Sequence, residues 1–328
     1  MTGKKRILSG MRPTGPLHLG NLHGALLNWV RMQDEYDCFY FIADWHALTS
    51  DYENTSMISE YTREMIIDWL SAGLSPDKST MFIQSHVKEH AELFLILSMI
   101  TPVPWLERNP TYKDQIVQLS NKDLSTFGFL GYPVLQAADI IMYKPSGVPV
   151  GIDQVPHVEI TREIARRFNF LYGEVFPEPE AILTKTPKIL GLDRRKMSKS
   201  YNNAIFLSDK PDVISSKVSA MVTDPQRARK NDPGDPDVCN VFEFHRIYTE
   251  KAICDDINPK YRKAEIGCVE CKKIMAENLS KALEPIREKR DYYEARPKMV
   301  DDIIADGIKR AGKVAATTME EVRASVKI

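Results

Sequence analysis

No stretch of this sequence comes near the roughly 18 consecutive apolar residues that a helix needs to cross a bilayer, so a membrane-embedded protein is not expected. An excess of charge of either sign is missing too. Lysine and arginine total 44 against 45 aspartate and glutamate, a formal net charge of −1. A nucleic-acid partner would therefore have to be met by local basic surface and not by the global field. Cysteine is scarce, five in 328 residues, which argues against a secreted disulfide scaffold. The opening Met1-Thr2-Gly3-Lys4-Lys5 leads into an apolar segment without an export signal, and a cytoplasmic location is expected. There is no internal repeat.

What is present is enough apolar material, 43% of residues, for one large α/β domain and a smaller helical one. Residues 6–10, 38–43, 80–84 and 148–151 read as short buried strands, and residues 19–32, 56–70, 90–100, 130–143 and 157–168 as helices. That alternation predicts a Rossmann-like, doubly wound parallel sheet, α/β in class, followed by an all-helical region. Residues 102–129, with their prolines and charges, are expected to form an irregular insertion, and the proline-rich stretch 177–187 a loop. The expected division is a catalytic domain at 1–205, a helical domain at 206–299 and a last helix at 300–328 that folds back. Three basic clusters, Arg162/Arg166/Arg167, Arg287/Lys289/Arg290/Arg296/Lys298 and Lys309/Arg310/Lys313, read as solvated helix faces that could touch phosphates.

Two segments far apart carry the chemistry. In Pro16-Leu17-His18-Leu19-Gly20-Asn21, His18 and Asn21 fall one helical turn apart beside a helix N-terminus, where phosphates prefer to sit, and Gly20 offers no side chain to obstruct a nucleotide. Alone, His18 would read as a capping or packing residue. In Lys196-Met197-Ser198-Lys199-Ser200, two ammonium groups sit in a stretch without apolar periodicity, which suits a mobile loop that meets the negative charge of a transferring phosphate. Lys199 is the stronger of the two, and a plain solvated loop is the alternative.

These strings match the HIGH signature, with Asn in its last place, and the KMSKS signature, and together they resemble a class I aminoacyl-tRNA synthetase. The stretches Ser9-Gly10-Met11-Arg12-Pro13-Thr14-Gly15, Ala43-Asp44-Trp45-His46-Ala47-Leu48-Thr49, Tyr132 to Ile140, Val148 to Gln154 and His157 to Arg162 resemble the tryptophanyl-tRNA synthetase family over almost the whole chain. The resemblance implies ATP-dependent activation of L-tryptophan and transfer to tRNA(Trp), with Mg²⁺ accompanying the ATP, in a homodimer whose tRNA crosses between subunits. It implies catalytic roles for His18, Asn21, Lys196 and Lys199. ATP would be met by Arg12, His18, Gly20, Asn21, Gly151, Asp153, Lys196, Met197, Ser198 and Lys199. Tryptophan would be met by Arg12, His46, Tyr132, Gln136, Asp139, Val150 and Gln154, with Asp139 accepting the indole N–H and Tyr132 and Gln154 holding the ammonium.

Three positions depart from the family pattern. Arg12 stands where many members carry Gln and could bind the substrate carboxylate as a charged fork, Ile152 stands where Glu is common, and Gln136 replaces an often apolar neighbour of the indole. Cys268-Val269-Glu270-Cys271 has thiolate-ligand spacing, with Cys239 and Cys254 upstream. Some members of the family carry a four-cysteine [4Fe-4S] site here, but the position seven before Cys268 is Tyr261. A cluster completed by Cys254, a zinc site and a group of reduced thiols all stay open. Two rivals to the main reading are a tyrosine-specific enzyme of the same architecture and a non-catalytic paralogue that binds tRNA.

Overall fold

The computed structural model describes residues 3–118, 122–183, 189–227, 229 and 231–328. Strand β1 (Arg6–Met11) leads into α1 (Leu19–Asn21), a π-helical turn (Leu22–Leu26) and α2 (Leu27–Met32). Then follow β2 (Asp37–Ile42), α3 (Asp44–Asp51), α4 (Ile58–Ala72), β3 (Ser79–Ile83) and α5 (Glu89–Ile100). After α6 (Val103–Glu107), α7 (Pro110–Gln118) and α8 (Phe127–Met142), the chain returns through β4 (Gly147–Val150), α9 (Val155–Tyr172) and β5 (Glu180–Leu183). The remainder is helical: α10 (Pro211–Ser219), α11 (Asn240–Tyr248), α12 (Lys251–Arg262), α13 (Cys268–Glu294) and α14 (Pro297–Val326).

The five strands are all parallel in the order β3-β2-β1-β4-β5, as the α/β alternation predicts. Both faces of the sheet are buried, and β2 shows how. Cys38, Tyr40 and Ile42 enter one apolar cluster, with α2, α4 and the helices after residue 210, while Phe39 and Phe41 enter the other, with α5, α8, α9 and α14. A strand that must fill two cores cannot alternate with polar residues, and Cys38-Phe39-Tyr40-Phe41-Ile42 does not. The first cluster runs on without interruption into Met275, Leu279 and Leu283 of α13.

Helix α14 contributes Val300 and Ile304 to the first cluster and Ala311, Ala315 and Met319 to the second, so it crosses the outer edge of β3. The approach is so close that a Cβ on Gly307 would lie 1.7 Å from the Met81 carbonyl oxygen. Arg310 donates to the carbonyls of Pro76 and Ser79 at 2.9 and 3.1 Å, and the edge is thereby closed to further strands.

Four expectations need correction. Within 102–129 the chain forms α6 and α7, because Pro104 and Pro110 fall in first helical turns, where a missing N–H costs nothing. Helix α8 starts at Phe127, capped by the Thr126 side chain, so that Pro133 lies inside it. Residues 180–183, expected in a loop, pair with β4 as the edge strand β5. Residues 44–51, in which no helix was read, form α3.

Candidate active site

Connections from β1 and β4 leave in opposite directions, so the carboxyl ends of these neighbouring strands part and open a crevice, the place where doubly wound sheets bind ligands. A cavity of about 480 Å³ lies there. The end of β1 gives Gly10, Met11 and Arg12; the first helical segment gives Asn21 and Gly24; the exit of β4 gives Val150, Gly151 and Gln154. His46 enters from α3 and Tyr132 and Gln136 from α8, one helical turn apart. Gly24 lies in the π-helical turn, which sequence periodicity reads as ordinary α-helix.

The segments around His18 and Lys199 meet beside Asn21, which lines this cavity, whereas His18, Gly20, Lys196, Met197, Ser198 and Lys199 are not among its lining residues. The Leu19 amide donates to the Ile205 carbonyl at 3.0 Å and the Leu207 amide to Leu17 at 2.9 Å, so the stretch after Lys199 pairs with the stretch that holds His18. Lys199 Nζ donates to the Gly15 carbonyl at 2.7 Å. His18 is the N-cap of α1: its Nδ1 accepts from the Asn21 amide at 3.3 Å while Asn21 Oδ1 accepts from the His18 amide at 3.1 Å. Capping and proximity to the 196–199 loop are thus one arrangement. A Cβ on Gly20 would stand 2.9 Å from the His18 ring and 3.6 Å from Met197, so both segments crowd this glycine. Buried Met197 anchors its loop in the first core cluster, whereas Lys196 is exposed.

Asn203, which sequence reading missed, pins this loop. Its side chain accepts from the Ser198 amide at 2.8 Å and donates to the Lys196 carbonyl at 3.2 Å and to Asp193 at 2.7 Å. Burial, then the positive charge of Lys199 and Lys196, lowers the His18 pKa to about 4, and the imidazole is neutral at working pH. Burial also lowers the Lys199 pKa to about 8, opposed by Asp68.

Arg12 reaches the water of the cavity but is walled by protein, and this desolvation lowers its pKa against the pull of Asp51 and Tyr132. The Tyr132 hydroxyl is buried with no hydrogen-bond partner among the described residues, beside an open cavity. The side chain of Asp153 lies outside the described residues, and Ile152 is exposed.

Asp139 does not face the cavity. Fully buried, it accepts from His46 Nε2 at 2.7 Å, from His90 Nδ1 at 2.6 Å and from Gln84 Nε2 at 2.8 Å to each oxygen, and the Tyr143 hydroxyl lies 2.8 Å from the second nitrogen of His90. Burial pushes its pKa up, but the bonds from His46 and His90 outweigh it and the net shift is downward. His46 stands between this carboxylate and the cavity. Gln84 and His90 come from beyond β3 and from α5, and no local spacing advertises them.

The cysteines do not assemble a metal site. Tyr261 is 1% exposed and its ring lies with Cys239 and Cys271 in the first core cluster, Cys268 packing at the margin. Burial, with Cys239 and Cys268 as neighbours, drives its hydroxyl pKa up. The Arg227 guanidinium covers the ring at 4.6 Å, and a Cβ on Gly234 would meet it at 2.2 Å. Cys254 turns away and donates to the carbonyls of His245 and Thr249. Burial, then the neighbouring Cys239 and Cys268, raises the Cys271 thiol to about 12. No group of three ligating side chains able to hold a metal ion occurs among the described residues. An iron-sulfur cluster therefore does not fit these residues, and Cys254 cannot be its fourth ligand in this arrangement.

The profile of the tRNA synthetases class I (W and Y) matches residues 1–284. The chain is 53% identical to the tryptophan–tRNA ligase of Thermotoga maritima over 98% of its own length and 99% of that protein's. It is 47% identical to the ligase of the same name from Aquifex aeolicus, covering 98% and 100% of the two chains. Among solved structures it superposes on the tryptophanyl-tRNA synthetase of Campylobacter jejuni, complexed with ADP and tryptophan, with a TM-score of 0.91, 34% identity and 98% and 100% coverage.

Proposed function

The chain belongs to the class I tRNA synthetases for tryptophan and tyrosine, and from that premise and the cavity at the β1/β4 switch we propose that it activates L-tryptophan with ATP and transfers it to the 3′ end of tRNA(Trp). One observation carries the placement of the chemistry. Two segments almost two hundred residues apart are hydrogen-bonded to each other next to Asn21, a residue of the cavity wall, with the Lys199 ammonium 2.7 Å from the Gly15 carbonyl in the loop that precedes His18.

In this reading the triphosphate lies along the α1 N-terminus between His18, Asn21 and the 196–199 loop. Lys199 and Lys196 meet the charge that builds on the transferring phosphate, and a neutral His18 donates a hydrogen bond without adding charge. Gly20 leaves room for the nucleotide, and Gly151 and Asp153 receive the ribose. The described residues hold no dedicated carboxylate cage, so Mg²⁺ enters with the ATP phosphates.

The tryptophan ring occupies the part of the cavity bounded by His46, Gln136 and Val150. Its ammonium meets the Tyr132 hydroxyl and Gln154, and its carboxylate meets Arg12. Asp139 serves the indole nitrogen through His46, whose ring it orients from behind. Residues 206–299 form the tRNA-binding region, with 300–328 returning to the catalytic domain. The protein works as a cytoplasmic homodimer, for which the exposed Leu95, Met99, Val103 and Phe170 on α5, α6 and α9 supply apolar surface.

The test is amino-acid-dependent exchange of labelled pyrophosphate into ATP across the twenty amino acids. Tryptophan alone should stimulate exchange, and His18→Ala and Lys199→Ala should each suppress it. Stimulation by tyrosine, or by none, would overturn the assignment.

A further inference from the structure

Arg290 belongs to a basic cluster that reads in the sequence as a solvated helix face, yet it is 4% exposed. Its guanidinium meets three carboxylates: one arm pairs with Asp68 of α4, the other donates to Glu64 at 2.5 Å and Glu294 at 2.8 Å. Asp68 is 1% exposed. Its second oxygen accepts the backbone N–H of Leu17 at 3.3 Å, and Leu17 is the residue before His18. The Leu17 carbonyl is the one that accepts from Leu207, past the 196–199 loop. The field of Asp68 also reaches Lys199. One buried carboxylate thus joins a helix of the C-terminal region to the backbone of the first segment, and Leu17 in turn bonds the second.

A buried acid is costly without partners, and burial raises Asp68 to about 6 even with Arg290 beside it. Packing alone would be served as well by an apolar pair in this contact between α4 and α13. An apolar pair could not accept the Leu17 amide, which in a buried position needs an acceptor.

We propose that Arg290 is a positioning residue for the ATP site, holding Asp68 so that its carboxylate fixes Leu17 and with it the imidazole of His18. The proposal rests on the reading that His18 and Lys199 serve ATP. The placement of α13 on α4 then sets the geometry of the nucleotide loop, and tryptophan binding, on the far side of β1, is spared.

The experiment is pyrophosphate exchange with ATP and tryptophan varied separately, alongside thermal unfolding, for Arg290→Met, Arg290→Lys, the double variant Asp68→Leu/Arg290→Met, and His18→Ala as the control. Arg290→Met should lower kcat/KM for ATP by about tenfold while KM for tryptophan stays within about twofold, and Arg290→Lys should recover part of the loss. The double variant should regain melting temperature without regaining ATP kinetics, and it serves as the reading if Arg290→Met does not fold. Recovery of both together, or equal losses toward both substrates, would overturn the proposal by making the pair merely structural. Intact ATP kinetics in Arg290→Met beside a crippled His18→Ala would sink Arg290 alone, whereas an intact His18→Ala would sink the site reading itself.

Discussion

The α/β half and the cysteine region of the helical half each bring a short motif to a buried place, and they end differently. In and behind the cavity wall, the polar groups that the motifs single out find partners: Lys199 on distant Gly15, His18 on Asn21 of its own motif, Asp139 among three side chains from other segments. Around Tyr261, Cys239 and Cys271 lie in apolar packing against an aromatic ring, and Cys254 spends its thiol on backbone carbonyls. A motif states which groups are available. The residues between its parts decide whether those groups converge, and here a tyrosine packs among the thiols.

The largest expected effect that separates the two regions is on stability. Asp139→Ala strips the shared acceptor from His46, His90 and Gln84 and should cost about 3–5 kcal/mol in denaturant unfolding, whereas Cys268→Ala should cost less than about 1 kcal/mol. Equal losses would erase the contrast. Next comes catalysis: Lys199→Ala should lower pyrophosphate exchange about 10²- to 10³-fold with an unchanged unfolding midpoint, and an unaltered rate would break the functional side of the comparison.

The cysteine side is sharpened by Tyr261→Cys, which places four thiols within one region. Anaerobic reconstitution with iron and sulfide should give that variant the broad visible absorption and iron content of a cluster, while the unaltered protein stays colourless. Iron uptake by the unaltered protein would show that the tyrosine is no barrier. The smallest effect is in the pH profile. An ordinary lysine keeps its proton to about pH 10.4, but Lys199 sits at about 8, so the ammonium needed for phosphate is present below that value and lost as pH rises through it. The exchange rate should fall on the alkaline side near pH 8, and a profile flat to pH 10 would remove Lys199 from the rate.

The architecture was legible in the sequence wherever an element announces itself over its own length. The runs at 38–43 and 80–84 and the long amphipathic pattern ending near Phe168 lie within or on β2, β3 and α9. Short elements opened by proline, α6 and α7, and the four-residue edge strand β5 carry too few residues to override the loop signal of their prolines. In the site, the two signatures were readable as strings, and Tyr132 and Gln136, which line the cavity, were singled out by the family resemblance. The partners of Asp139, the buried state of Arg290 and the grip of Asn203 were not. The first two arise from segments that meet only after the sheet has formed, and the third from a loop whose local bonds follow no helical or strand period.

The crossing of β3 by α14 bears on how the protein is made. Synthesis runs from the amino end, so the ribosome releases β3 long before the helix that seals its border, and in the interval that strand offers unpaired amides to any neighbour. Nascent chains halted before Gly307 should accordingly clump or recruit chaperones, and the cell's supply of active enzyme would hinge on how quickly this last helix docks.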